Sequence, residues 1–507
     1  MFKGHPKGLI PAALANMGER FGFYTMMAIL VLFLQAKFGL SGTDAGYIYS
    51  GFYFSIYILA LVGGVIADKI KNFKKTIMVG LIMMAAGYVI MAIPTPTPVS
   101  NVPLFLTLSI VGLFVIAFGN GLFKGNLQAL VGQMYDKPEY ESRRDAGFSL
   151  FYAFINVGAI FAPFTAVGIR NWWLNSHGYG YDANLPEQCH AFINGTMNSE
   201  SITSFQGFAE KSSDGSVTDL TAFSNDYLNV FNTGFHYAFG IAIIAMLISF
   251  VVYMKNMKSF PDIKGANDEG TEITDEIKME AKEVAQRMYA LLAVFGVVIF
   301  FWFSFHQNGL TLTMFAKDYT LLKIGSWEFS AEIFQSMNPF FVVFLTPIIV
   351  GIFGWLRNRN IEPSTPKKIA IGMGIASLAF VLMMVGSFDV PLFSTINPSQ
   401  GGIPLDASQR VTPYLLLGTY FILTVAELFI SPMGISFVSK VAPSQYQGMM
   451  QGGWLGATAL GNGLLFIGAI LYESIPIWMT WSIFVVATAI SMLTIIFMIK
   501  WLERVAK

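Results

Sequence analysis

Runs of about twenty apolar residues recur along the whole chain, separated by short polar segments. The pattern predicts twelve helical membrane spans, at residues 10–35, 43–67, 76–94, 104–134, 145–168, 233–254, 288–316, 331–355, 368–387, 411–438, 447–471 and 475–499. Each run is long enough to cross a hydrocarbon core at 1.5 Å of rise per residue. The period-2 alternation that a membrane barrel needs is absent. Two intervening segments are long. Residues 169–232 are polar, carry aromatics and contain an Asn-Gly-Thr sequon at 194–196; residues 255–287 divide the spans six and six. The latter ends in an amphipathic stretch, TDEIKMEAKEVAQRM, that leads into span 7.

Composition agrees with the pattern. The 507 residues are 54% hydrophobic and 15% aromatic, with only 12% charged, and the mean hydropathy is +0.57. Formal net charge is zero, which gives no reason to expect a nucleic-acid partner. The single cysteine, Cys189, excludes an intrachain disulfide and a cysteine-based metal site. No nucleophile–base constellation or metal-ligand spacing points to an enzyme, and no cofactor or metal is expected. The glycines of QGGWLGATALGNG (451–463) follow no strand, so they read as close helix packing and not as a phosphate loop.

Charge placement orients the chain. An even number of spans puts both termini on one side. The segments on that side, with their flanks, hold 23 of the 31 Lys and Arg residues, so both termini are expected in the cytoplasm. The opposite loops hold six: Lys37, Arg170, Lys211, Lys317, Lys323 and Arg410. The remaining two, Arg20 and Lys124, lie inside spans, as do the acids Glu19 and Glu427. A charge at that depth costs a few kcal/mol even on lenient scales, so it is expected to face a cavity or a partner. Glu19, Arg20, Lys124 and Glu427 all fall roughly 15 Å from the cytoplasmic end of their spans, and His306 sits in the outer half of span 7.

The signs divide between the halves: Glu19, Arg20 and Lys124 come from the first, Glu427 from the second. A cavity positive on one wall and negative on the other suits a zwitterion, with its carboxylate towards Lys and Arg and its ammonium towards Glu427. Internal salt bridges locking helices together are the plainer alternative. Asn16, Arg20, Tyr24 and Met27 share one face of span 1. Tyr57, Asn156, Trp302, Gln307, Asn338, Ser431 and Trp454 add donors and aromatic walls at similar depth, and the Asn338-Pro339 and Ser431-Pro432 pairs are expected to bend spans 8 and 10. Six spans plus six around a cytoplasmic linker is the major facilitator layout: an N-terminal half at 1–254, a linker at 255–287 and a C-terminal half at 288–507.

Several stretches taken together resemble the proton-dependent oligopeptide transporter (POT, or PTR) family of that superfamily. They are ERFGFY, GGVIADKIKNFKKTI, GNGLFKGN, FYAFINVGAIFAP, NTGFHYAFG, FQSMNP and ELFISPMGIS. The resemblance implies symport of di- and tripeptides with protons by alternating access. It places Arg20, Tyr24, Tyr57, Lys124, Asn156, Trp302, Asn338, Glu427, Ser431 and Trp454 at positions that line the family's peptide site, with Glu427 holding the peptide amino terminus. Glu19 and Arg20 match the second half of the family's ExxER proton-coupling motif.

This chain departs from the family pattern at several positions. Asn16 stands where the motif has its first glutamate, Phe23 precedes Tyr24 where a tyrosine pair is usual, and Met27 replaces an arginine. His306 replaces the acid before the span-7 glutamine, Gly125 replaces a proline, and 255–287 is too short for a pair of inserted helices. Asn16 leaves Glu19 and Arg20 as a one-to-one pair, and Met27 leaves Lys124 as the main carboxylate partner. An imidazole with an ordinary pKa near 6.5 suits proton exchange, so Glu19, Arg20, His306 and Glu427 are the proton-coupling candidates. A neutral His306 bonded across the cavity is the competing reading.

The expected partners are small peptides, protons and the lipid bilayer, with the protein working as a monomer in a cell membrane, a bacterial inner membrane being favoured. An uncoupled facilitator of another small organic or nitrogen compound on the same fold, and a non-transporting receptor that uses 169–232, are the alternatives.

Overall fold

The computed structural model describes residues 4–70, 72–141, 143–261, 281–443 and 446–506. Among them are twelve helices long and apolar enough to cross a membrane. Spans 1 to 6 are the helices Leu9–Phe38, Gly42–Ile70, Phe73–Ala92, Val102–Met134, Arg144–Ser176 and Leu220–Lys255. They pack on one another, spans 3 and 4 most extensively, with span 1 held between spans 5 and 6. Spans 7 to 12 form a second group in which span 9 packs on spans 10 and 12, and span 7 on spans 11 and 12. The groups meet where span 2 runs beside span 11 and span 5 beside span 8. Large apolar side chains such as Phe344, Leu378 and Phe497 are left exposed on the outside of the bundle, the surface that lipid covers.

Two spans expected to be continuous are broken. Span 7 is the helix Ala281–Phe305, a 3-10 turn at His306–Gly309, and a second helix, Thr311–Asp318. Span 11 is Gln447–Gly463 followed by Phe466–Ser474. A broken helix frees backbone carbonyls that lipid cannot satisfy, so side chains must reach them. Tyr420 donates to the Asn308 carbonyl at 2.6 Å, and Gln307 Nε2 donates to the carbonyls of Phe303 and Leu465, each at 3.2 Å. The two breaks are thus bonded to each other at one level. Apolar runs hide such breaks, because hydropathy is blind to which residue leaves the helical ladder.

Span 8 also differs from expectation. A 3-10 turn, Ala331–Ser336, precedes the helix Met337–Asn358, so Pro339 lies in its first turn and the proline inside the helix is Pro347. A first-turn proline removes an N–H that would be unpaired anyway and imposes no bend. In span 10, Pro432 is inside the helix as expected. Much of the segment 169–232 is helical: span 5 runs on to Ser176, span 6 begins at Leu220, and the helices Leu185–Ile193 and Ser199–Ser213 lie between, the first burying Cys189. The stretch 274–288 lies outside the described residues up to 280, and from Ala281 it is part of the span 7 helix.

The glycine-rich stretch of span 11 packs closely, as expected. A Cβ on Gly461 would lie 2.7 Å from the Ile299 carbonyl oxygen of span 7, and 2.8 Å from the Trp302 Cβ. Backbone cannot move aside cheaply, so Gly461→Val is expected to cost about 1–3 kcal/mol, the usual range for overpacking. A detergent-solubilised variant whose thermal midpoint matches the parent's would contradict this contact.

Three cations assigned from the sequence to polar loops are buried. Lys37, Arg170 and Lys317 are 1%, 0% and 4% exposed. Their partners include two acids, Glu332 and Asp318, that periodicity also hid and that are 0% and 4% exposed. Arg170, in span 5, is ion-paired with Glu332 of the span 8 turn, donates to Ser330 Oγ at 2.9 Å, and lies 4.1 Å over the Tyr181 ring. Lys317 bridges Glu187 at 2.7 Å and Asp318 at 2.9 Å. Glu473, near the end of span 11, accepts from the first backbone N–H groups of span 2, Gly42 at 2.6 Å and Thr43 at 3.1 Å. A carboxylate there meets the positive end of the helix dipole. Ser201 donates to the Gly401 carbonyl at 2.7 Å, tying the 177–219 segment to the second group. The bonds of Glu473, Arg170, Lys317 and Ser201 between the two groups lie at this end, opposite the termini.

Candidate functional site

Glu19 and Arg20 are adjacent in the helix, so their side chains leave the axis about 100° apart. The Arg20 side chain nevertheless turns back onto its neighbour. Its Nε donates to Glu19 Oε2 at 2.5 Å and its Nη2 to Oε1 at 2.7 Å. Asn120 Nδ2, from span 4, donates to the same Oε1 at 2.7 Å. Glu19 and Arg20 are 0% and 4% exposed, and the Arg20 Cζ lies 4.9 Å from the Phe23 ring centroid. A two-pronged guanidinium–carboxylate pair is the strong form of this interaction, and the third donor makes it a small network. The pair is an internal salt bridge, but within one helix, with the uncharged Asn120 as its link to span 4, and Arg20 is already neutralised.

Lys124 is different. One turn after Asn120 on the same helix, it is half-buried and its ammonium sits 5.2 Å from the Tyr57 ring centroid. No ion pair is described for it. The contact with tyrosine is worth about 0.5–2 kcal/mol, well short of what a buried ammonium loses in solvation. Glu427, in span 10, is likewise half-buried with no described ion pair. Asn338 Nδ2 donates to its Oε2 at 2.8 Å and to Thr424 Oγ1 at 3.1 Å, which orients the carboxylate without cancelling its charge. Tyr24, Tyr57 and Tyr152 each lie within electrostatic reach of both Arg20 and Glu427, so charges from the two groups of helices converge on one place.

His306 occupies the break in span 7. Its ring is stacked on Trp302 at 4.9 Å and 19°, and lies 4.7 Å from Tyr53 of span 2. Its Nδ1 is 2.5 Å from Asn462 Oδ1 of span 11. Lys124 is within electrostatic reach of this ring as well. Trp454 is 4% exposed, with its ring over the Gly434 position of span 10, where a Cβ would lie 1.8 Å from the indole, and edge-on to Phe295 at 6.5 Å. It therefore clamps spans 7, 10 and 11. Asn156 and Ser431 are half-buried; the Asn156 amide donates to the Tyr152 carbonyl of its own helix at 3.2 Å, and Ser431 lies one turn beyond Glu427.

The structure thus brings together Arg20, Tyr24, Tyr57, Lys124, Asn338, Glu427, His306 and Trp302, and sets Trp454 behind them as packing. Sequence reasoning missed Asn120, Tyr53, Thr424 and Asn462, all uncharged. For Asn120 a signal was present, because it is one turn from Lys124 and faces the same way. The Asn462 contact depends on two helix breaks that coincide in space and could not be found from spacing. Among the described residues there is no group of His, Cys, Asp and Glu placed to hold a metal ion. What the arrangement offers is an ammonium and a carboxylate, each with no described ion pair, both within reach of Tyr57.

Comparison with known proteins gives the same family as the motifs. The model of the POT family matches residues 74–277 and 262–479. A peptide transporter of Yersinia enterocolitica subsp. palearctica is 28% identical, over 91% of this chain and 87% of its own. Dipeptide and tripeptide permease B of Xenorhabdus bovienii is 26% identical, over 99% and 96%. The fold is shared with a peptide transporter crystallised with alafosfalin, at TM-score 0.74 and 23% identity over 100% of this chain and 96% of that one. A POT family transporter in complex with 5-aminolevulinic acid aligns at TM-score 0.72 and 19% identity, over 100% and 98%. With the family model spanning most of its length and twelve helices in the major facilitator arrangement, this chain is a member of the POT family.

Proposed function

We propose that this protein imports di- and tripeptides, or peptide-like zwitterions, together with protons by alternating access, working as a monomer with both termini in the cytoplasm. The observation that carries the substrate class is the separation of unpaired charge. Lys124 stands on the first six-helix half and Glu427 on the second, with Arg20 already neutralised by Glu19. A short peptide supplies the missing carboxylate and ammonium at opposite ends, so it draws the halves together around itself. Tyr24, Tyr57, Asn156, Trp302, Asn338 and Ser431 shape the space between, and Trp454 holds its floor. The ligands named for relatives, di- and tripeptides, are of this class.

The distribution of Lys and Arg supports the orientation. In that orientation the bonds among Arg170, Glu332, Lys317, Glu187, Glu473 and span 2 close the extracytoplasmic end, and the conformation described faces the cytoplasm. Protons enter the cycle at Glu19, His306 and Glu427, the ionisable groups at the convergence of the halves. Uptake of labelled dialanine into proteoliposomes across a pH series tests this. Accumulation driven by an inward proton gradient is expected. Absence of both uptake and binding for every di- and tripeptide would sink the substrate assignment. Counterflow without accumulation at any pH would leave an uncoupled facilitator, the reading favoured by the replacement of the family's span-7 acid by His306.

A further inference from the structure

Asn462 is 0% exposed, yet the only described hydrogen bond of its side chain is the one to His306. Its Nδ2 is buried without an acceptor. A buried amide normally satisfies most of its four sites, and an orphaned one costs about 1–3 kcal/mol. Packing does not explain the choice of asparagine here, because leucine would fill similar volume with no polar group to satisfy. The contact spans the two helix breaks, joining the first residue of the span 7 turn to the end of the Gln447–Gly463 helix.

We propose that Asn462 is the positioning residue that holds His306 with Nδ1 as the donor, leaving Nε2 as the one ring atom that exchanges a proton with the transport cavity. This rests on the transport reading above and adds a residue that the family motifs do not include. An amide oxygen at Nδ1 accepts from the ring in both its neutral and protonated forms, so the bond survives the proton's arrival and departure. An amide nitrogen there would be compatible with the neutral ring alone. The stacked Trp302 and the nearby Tyr53 hold the imidazole plane. The groups facing it are therefore Tyr53 from span 2, Trp302 and Phe305 from its own helix, Asn462 from span 11 and, at longer range, Lys124 from span 4. In the step itself a proton from extracytoplasmic water bonds to the Nε2 lone pair, and the same proton leaves Nε2 for cytoplasmic water after the peptide. Nothing else is consumed.

The test uses Asn462→Leu and Asn462→Asp in the full-length protein, with thermal midpoints measured first. In proteoliposomes, Asn462→Leu is expected to lower the ratio of proton-driven uptake to peptide counterflow by about tenfold, the contribution of one hydrogen bond to a charged group, and to shift its pH profile. Asn462→Asp keeps the acceptor and adds a negative charge that favours the imidazolium, so uptake is retained and its pH profile moves to higher pH. Unchanged pH profiles in both variants would overturn the proposal. So would equal losses of uptake and counterflow accompanied by lower thermal midpoints, which would mark Asn462 as structural. If the parent protein transports no peptide, the transport reading fails separately. The tautomer is then read by nitrogen-15 NMR, with His306→Gln to assign the signal: a protonated Nδ1 and a bare Nε2 at neutral pH support the assignment, and the reverse overturns it.

Discussion

Glu427→Gln is expected to abolish accumulation of dialanine while leaving the protein folded. Glutamine has nearly the same shape, and its amide oxygen still accepts from Asn338, whose bond to the carboxylate is 2.8 Å. The charge alone is removed. A desolvated charge pair of this kind is worth about 2–5 kcal/mol, so affinity should fall roughly 30-fold to several-thousand-fold. The control is N-acetylated dialanine, which has no ammonium to lose: parent and variant should handle it equally poorly. Retention of the parent's affinity for free dialanine by Glu427→Gln would remove Glu427 from its role at the amino terminus.

Glu332→Gln should act on the conformational equilibrium. Arg170 and Glu332 are both 0% exposed and join span 5 to the span 8 turn across the two halves. Removing one partner leaves a buried guanidinium without its counter-charge, a change that costs about 3–5 kcal/mol. The molecule relieves that cost by parting the halves at this end and letting water reach Arg170. The equilibrium should therefore move towards the outward-facing form by two to three orders of magnitude, on the order of the factor that such an energy implies. Single cysteines placed on the two sides and probed with a membrane-impermeant thiol reagent measure this. Extracytoplasmic labelling should rise and cytoplasmic labelling fall. An unchanged pattern would mean that Arg170 and Glu332 do not hold that end closed.

The two expectations differ in how visible their residues were. Glu427 was legible in the sequence because one acid inside a long apolar run stands out against its neighbours, and the bilayer makes such a residue expensive. Arg20 and Lys124 stood out for the same reason. Arg170 and Lys317 did not, because they sit where the apolar runs fade and a polar loop was the natural assignment. Their burial comes from groups elsewhere in the chain: Glu332, Phe231 and Phe235 around Arg170, and Glu187 of the helix Leu185–Ile193 at Lys317. Hydropathy reports how a residue compares with its neighbours in the chain, and burial there is supplied by segments far away in sequence.

The sequence by itself determined the number of spans, their division into six and six, the family, and the charged residues Glu19, Arg20, Lys124 and Glu427 inside apolar runs. Each follows from local composition, or from motifs read in order along the chain. Only the tertiary structure decided how those charges are used. It turned Arg20 onto Glu19 and added Asn120, so that the ERFGFY pair became a closed network and left Lys124 a cation with no described ion pair. It also broke spans 7 and 11 at one level and brought Asn462 to His306. The physical reason is the same in each case. A hydrogen bond requires two groups within about 3 Å of each other, and residues 101 or 156 positions apart meet that condition through the packing of whole helices.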